Sequence, residues 1–512
     1  MRGVGELGGT MEATRRRYSA RAAGVGLAVG LFVMAGAGRA QVTLTGPIAG
    51  TPLLDLGKFD LAALGYVTEE FFLSGTATSY KRVGQLTEDG NWQVEHAATA
   101  PFTTRIVVVR PAEASKFNGA AVVEWLNVSA GTDLAADWSA VHREIVRDGF
   151  AYVGVSAQKV GIEGGPSLAP NTLPIKKADP ARYGRLSHPG DAFSYDIYSQ
   201  AGMAVRGAAG AKVLGPLAAK RLLATGDSQS AVFLTTYVNA IDPIAKVYDG
   251  YLIHSRFAGA ASIEGASMLA GPSDMPATAK LRADLRVPVI TVITETDLIG
   301  GAGLGGFSNV VQADTNRLRI WEIAGAAHAD TYVFGATAID SGSAPVAQLA
   351  AAYAPTDTVA GAKLAKPMNS APQHHYLVST ALWNLDRWVR DGKTPPIAPR
   401  LKTLAGDKPG APPQLILDAN GDAEGGIRTP WVDVPTARLS GLGNSPGAMG
   451  ALFGVTEPFD QAMLDKLYPG GRAEYLKKFD KALESAIKSG FILRADAADI
   501  KALAAAMYPG LK

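Results

Sequence analysis

The stretch Arg221-Leu-Leu-Ala-Thr-Gly226-Asp227-Ser228-Gln229-Ser230-Ala231 constrains this chain more than any other. A short apolar run enters a Gly-x-Ser-x-small turn, and an amphipathic segment over residues 231–240 leaves it. Such a sequence makes a strand that turns sharply into a helix and presents one hydroxyl at the tip. The tip residue is strained, so the residues two positions away on each side must be small to avoid collision. Gly226 and Ser230 meet that demand, with serine where a second glycine is more usual. In a chain this rich in glycine the pattern also fits an ordinary strand–turn–helix junction, so its neighbours have to decide.

Those neighbours alternate. Residues 105–110, 119–126, 150–156, 248–254, 287–294 and 318–323 read as strands, and 136–148, 193–209 and 380–390 as helices. Strands that are apolar throughout and alternate with helices predict an α/β fold: a doubly wound, mostly parallel sheet covered on both faces. Residues 161–190 form a Gly/Pro-rich stretch too long for a plain connection and read as a lid-like insertion or pocket wall. From residue 395 the alternation stops. Prolines open a tail with short helices over 458–467, 473–490 and 498–507, expected to wrap the sheet domain rather than fold alone. The expected organisation is a targeting segment over 1–40, a sheet domain over 41–395 and a C-terminal extension over 396–512.

The chain has 512 residues, a net charge of +2 and no cysteine, which excludes disulfides, thiolate metal sites and cysteine nucleophiles. Lys and Arg are scattered, so nothing suggests a nucleic-acid partner. Arg15-Arg16-Arg17 precedes an apolar stretch over 22–37 and the small residues 35–38, the form of a secretory signal peptide. That apolar stretch falls short of the ~20 residues of a membrane span. Export to a bacterial periplasm or exterior is expected, with no stable membrane span after cleavage; an uncleaved anchor is the rival.

Two further elements complete a chemistry. The strand over 287–294 ends in Glu295-Thr296-Asp297, and the strand over 318–323 is followed closely by His328. All three types are then expected at the carboxyl ends of parallel strands, where active groups gather. Serine is a poor nucleophile until a base takes its proton. Imidazole titrates near neutrality, and a carboxylate fixes its tautomer and stabilises its cation. Ser228 is thus the candidate nucleophile, His328 the base and Asp297 the acid, with Glu295 the alternative acid. Asp297 is favoured because it lies further into the loop beyond the strand. The oxyanion hole should combine the backbone N–H of Gln229 with that of Asn127 or Val128, from the loop over 127–132.

With these residues in view, the chain resembles the α/β-hydrolase superfamily, and more narrowly the large exported bacterial "alpha/beta hydrolase domain" proteins. The likeness rests on Val123-Glu-Trp-Leu-Asn-Val-Ser129, Gly226-Asp-Ser-Gln-Ser230, Glu295-Thr-Asp297, Ala324-Gly-Ala-Ala-His-Ala-Asp330 and Gly425-Gly-Ile-Arg-Thr-Pro430. It implies a serine hydrolase and little about substrate. An esterase acting on a small-molecule ester is expected, without cofactor or metal; an acyltransferase, an amidase or a non-catalytic binding protein remain open. The segments 161–190 and 300–309 are dominated by Gly, Pro, Leu and Ile, which suits a neutral, moderately apolar ester. Arg185 or Lys177 entering the pocket would instead favour an ester bearing a carboxylate.

Other signals are weaker. Gly301-Ala-Gly303-Leu-Gly-Gly306 has dinucleotide-site spacing, but no helix opens from it. Asp418, Asn420 and Asp422 alternate like a calcium loop, yet positions six and twelve are Ala423 and Thr429. His374-His375 reads as a helix start, and His254 as the end of the strand after the elbow.

Overall fold

The computed structural model describes residues 42–509 apart from 170, 208, 269–273, 302, 360, 409 and 446–449, so the expected targeting segment lies outside the described residues. Nine strands make one sheet: β1 Thr43–Thr45, β2 Tyr66–Val83, β3 Gln93–Pro111, β4 Ala120–Trp125, β5 Ala151–Val155, β6 Arg221–Asp227, β7 Gly250–His254, β8 Val289–Ile293 and β9 Leu318–Glu322. Their spatial order is β1-β2-β3-β5-β4-β6-β7-β8-β9. The six strands from β5 to β9 run parallel, and the first three are antiparallel to their neighbours. This is the doubly wound, mostly parallel α/β sheet expected.

The central strands are buried on both faces, and so read as unbroken apolar runs; every residue of β4 is inaccessible. On one face α2 (Ser194–Arg206) and α3 (Gln229–Thr236) bury Tyr195, Tyr198 and Phe233 against Trp125. On the other, α1 (Ala136–Arg147) and α5 (Gln373–Asp391) pack together, and the tail helices α7 (Gly471–Lys488) and α8 (Ala497–Met507) join the same core. The short α4 (Glu295–Ile299) follows β8.

Two regions depart from the sequence expectation. β2 and β3 are an 18- and a 19-residue antiparallel pair, of which only residues 105–110 read as strand. The outer half of β3 is mostly exposed and mixes Gln, Glu, His and Thr with small residues, so it carries no apolar run. The tail is not only helical: β10 (Ala437–Ser440) pairs antiparallel with β11 (Val455–Pro458) before α6 (Gln461–Leu467). These strands are too short, and too far apart in sequence, to register as a hairpin.

The insertion over 161–190 carries three short helical turns, Lys159–Glu163, Ile175–Ala178 and Pro180–Tyr183, joined by loop, and it is anchored. Arg105, fully buried, binds Glu70 at 3.1 Å, Asp133 at 3.0 Å and the Tyr183 hydroxyl at 3.1 Å. Arg182 reaches the other oxygen of Glu70 through its Nε at 2.7 Å. Removing one partner from such a network strands a buried charge and costs roughly 3–5 kcal/mol. Among the described residues no helix is long and apolar enough to cross a membrane.

Candidate active site

β6 ends at the sheet's centre, and the chain reverses there. Ser228 takes φ +57° and ψ −116°, a left-handed backbone that non-glycine residues rarely adopt. The neighbours make this possible. A Cβ on Gly226 would lie 3.0 Å from the Ser230 carbonyl oxygen, and Ser230 Oγ accepts from the Asp227 N–H and donates to its carbonyl. The Ser228 N–H donates to the His254 carbonyl at the end of β7, 2.9 Å away. The hydroxyl is therefore held at the tip, where α3 begins.

His328 Nε2 lies 2.8 Å from Ser228 Oγ, and its Nδ1 lies 2.6 Å from Asp297 Oδ1. Asp297 is fully buried; its second oxygen accepts from the Thr294 N–H and hydroxyl, both at 2.8 Å. Burial pushes its carboxyl up, but the His328 charge, its hydrogen bond and the Thr294 donors outweigh that and hold it below the usual range. Phe257 covers the imidazole with ring centroids 5.3 Å apart. The His328 N–H donates to Thr296 Oγ1, and that hydroxyl donates to the Gly441 carbonyl, which joins the loop to the tail.

Glu295 does not face His328. Its oxygens accept from the Gly325 N–H at 2.6 Å, the Gly441 N–H at 2.8 Å and the Ser440 hydroxyl at 3.2 Å. Burial pushes it up to about 7 despite these donors. Of the two candidate acids, the structure brings Asp297 to the histidine and turns Glu295 to β10.

The oxyanion candidates divide. The Gln229 N–H opens α3, where the first helical amides have no intrahelical acceptor. The Val128 N–H makes a long 3.4 Å contact with the side chain of Gln229, the residue after Ser228. Asn127 is a correction: its backbone N–H donates to the Leu134 carbonyl at 3.0 Å in an isolated bridge and is not free for substrate. Its side-chain amide donates to the Asp227 carbonyl instead, bracing the elbow from below.

Sequence reading missed the polar layer under this row. His254 Nδ1 lies 3.0 Å from Asp137 and 3.2 Å from Asp227, His254 Nε2 lies 2.9 Å from His374 Nε2, and His374 Nδ1 lies 3.2 Å from Asp330. Asp227, crowded by burial and then by Asp137, Asp297, Glu124 and Asp330, sits well above the ordinary carboxylate range. Two signals were available: His254 ends the strand beside the elbow, and Asp330 lies two residues past His328. His375 instead stacks flat on Tyr332, with centroids 3.8 Å apart.

The remaining motifs resolve simply. Gly300–Gly301 pairs with Leu304–Gly305 in a small ladder beside α4. Asp418 binds Arg428 at 2.8 Å and caps its own turn at Asn420 and Asp422. Of the basic residues over 161–190, Lys176 pairs with Glu163, Arg182 with Glu70, and Arg185 lies over the Phe72 ring. Lys177 lines a cavity of about 420 Å³ with Gly131, Pro166, Ser167 and Thr172.

No curated protein matches this chain in sequence. Among solved structures similar to it is one of two Rhizomucor miehei esterases, 12% identical over 62% of this chain and 85% of that one, with a TM-score of 0.30. Another is a Xanthomonas campestris protein described as an a/b serine hydrolase without lid, 10% identical over 48% and 83%, with a TM-score of 0.26. A thermostable esterase from Pseudomonas putida is 13% identical over 47% and 66%, with a TM-score of 0.25. The decisive match is broader: residues 35–502 fit the model of one family almost end to end. The chain belongs to the alpha/beta hydrolase domain family.

Proposed function

We propose that this protein is a serine hydrolase cleaving carboxylic esters through an acyl-enzyme. The observation that carries the reading is the continuous row Ser228 Oγ, His328, Asp297, at 2.8 and 2.6 Å, on a strained elbow at the centre of the sheet. Ser228 Oγ attacks the ester carbonyl carbon while its proton passes to His328 Nε2. Asp297 stabilises the imidazolium through Nδ1–H. The charge arising on the carbonyl oxygen is met by the N–H groups of Gln229 and Val128. Collapse returns the proton to the departing alkoxide, which leaves as the alcohol. Water, deprotonated by the same imidazole, then attacks the acyl-serine and releases the acid and free Ser228.

For substrate, the mainly uncharged composition of residues 161–190 and 300–309 favours short to medium acyl or aryl esters over phosphodiesters. A second reading rests on Lys177, which lines a cavity with Gly131, from the loop that carries Val128. Ser228 and His328 are not among that cavity's lining residues, so the reading requires an ester long enough to reach from Ser228 into it with a carboxylate. A chromogenic ester panel separates them: carboxylate-bearing esters beating neutral ones of equal size tenfold would favour Lys177. We further propose export directed by residues 1–40, tested by whether the mature protein begins near residue 41 outside the cytoplasm.

The test of the chemistry is the same panel on wild type, Ser228→Ala and His328→Ala, with fluorophosphonate labelling. Each variant should lose on the order of 10⁴ to 10⁶ in turnover. Activity within tenfold of wild type in either would overturn the assignment.

A further inference from the structure

Beneath Ser228 and His328 runs a second line of polar side chains that the proposed chemistry does not use: Asp137, His254, His374 and Asp330. All four are buried, with at most 4% of any one exposed. The line has three links: Asp137 Oδ1 to His254 Nδ1 at 3.0 Å, His254 Nε2 to His374 Nε2 at 2.9 Å, and His374 Nδ1 to Asp330 Oδ2 at 3.2 Å. Each link joins two atoms that both carry lone pairs, so each needs one hydrogen. The same His254 Nδ1 also lies 3.2 Å from Asp227 Oδ1, beside the nucleophile.

The anchor points explain what the line joins. Asp137 stands in the first turn of α1, just beyond the loop that carries Val128, and Glu124 accepts the Asp137 and Trp138 N–H groups at that helix end. His254 gives its backbone carbonyl to the Ser228 N–H at 2.9 Å. His374 opens α5, the long helix packed across the sheet. Asp330 follows His328 by two residues, and its other oxygen caps the turn Thr331–Phe334 through the Tyr332 and Val333 N–H groups at 2.9 and 3.1 Å. One line thus ties the helix after the oxyanion loop, the strand that supports the elbow and the loop that carries the base.

We propose that Asp137, His254, His374 and Asp330 are positioning residues, a hydrogen-bonded line that sets the Ser228–His328 distance by coupling these three segments. The inference rests on the hydrolase reading above. None of the four touches substrate. They act by keeping the nucleophile and base in reach, and a misplacement of about 1 Å in such a pair can cost on the order of 10²-fold in rate.

Asp330 offers the cleanest cut. In Asp330→Asn, the amide oxygen can still cap Tyr332 and Val333 while the Nδ2–H supplies the hydrogen of the third link. In Asp330→Ser, the hydroxyl can cap the turn but is too short to reach His374. Steady-state kinetics on an ester turned over by wild type, with fluorophosphonate labelling rates and thermal melts, compare the two variants. The expected result is kcat within about threefold of wild type for Asp330→Asn and about 30-fold lower for Asp330→Ser. KM should stay within about threefold in both, with labelling of Ser228 slowed in step with kcat. His374→Phe should match Asp330→Ser; if it does not fold, the Asp330 pair decides alone. Equal kcat for Asp330→Asn and Asp330→Ser overturns the inference and leaves the hydrolase reading intact. A wild-type protein that neither labels nor turns over any ester overturns that reading and the inference with it.

Discussion

Asp297 and Glu295 stand two residues apart in the first turn of α4, yet they face different regions of the molecule. Asp297 faces the row of Ser228 and His328, whereas Glu295 faces the tail, at Ser440 and Gly441 of the β10 end. Both are buried to the same degree. Burial raises both carboxyls, but Asp297 is hydrogen-bonded directly to the His328 ring, whereas Glu295 meets amide and hydroxyl donors, with the Arg438 charge only the smallest of the effects that lower it. The first is held below the ordinary range and the second is pushed up to about 7. What separates a carboxylate suited to stabilising charge from one suited to bracing a loop is therefore the partner, not the depth.

The largest effect that could break this contrast is at Asp297. Asp297→Asn keeps the shape but loses the charge and the tautomer control, and kcat should fall about 10⁴-fold. A Glu295→Gln variant that loses as much would show that the two regions share one task. Next in size is a pH effect on stability. The folded pKa of Glu295 is raised to about 7, so its contribution is full below the unfolded value near 4.5 and is lost as pH rises towards 7. The change is roughly 3 kcal/mol across that window. Denaturant titrations at pH 4.5 and 8 should show Glu295→Gln gaining on wild type as pH rises. A difference between the two proteins that does not change with pH would contradict this. Asp297 has the opposite sign: its contribution is present above the unfolded value near 4 and is lost as pH falls through the depressed folded value. The smallest effect is at Ser440, whose hydroxyl reaches Glu295 at 3.2 Å. Ser440→Ala should cost roughly 1 kcal/mol in a melt and leave kcat within about twofold.

The elbow and its two partners were legible because each is tied to local grammar. A left-handed serine needs small neighbours, and a buried parallel strand announces its end by a break in an apolar run. Asn127 misled for a related reason. Position in a loop says which amides are near the elbow, but not that one is taken by Leu134 seven residues on. All of β2 and the outer half of β3 escaped notice: the outer half of β3 is exposed, and β2 breaks its buried residues with Thr, Glu, Ser and Gly, so neither makes the unbroken apolar run of a central parallel strand. The meeting of His254 with His374 had no local sign, since 120 residues separate them and only the packing of α5 over β7 brings them together.

The tail's hold on the base has a consequence for the order of synthesis. The loop after His328 is closed by residues made far later: the Ala329 N–H donates to the Leu452 carbonyl at 3.0 Å, and the Asn369 N–H to the Phe453 carbonyl at 2.8 Å. A ribosome that has just extruded Ser228, Asp297 and His328 has made all three members of the proposed row but not the clasp on the loop after His328. Translation must run more than a hundred residues further before the site can close. Through that interval the nascent chain carries Ser228 and Asp297 without the tail contacts that hold the loop after His328, and under the proposed chemistry the row is completed among the last events of manufacture.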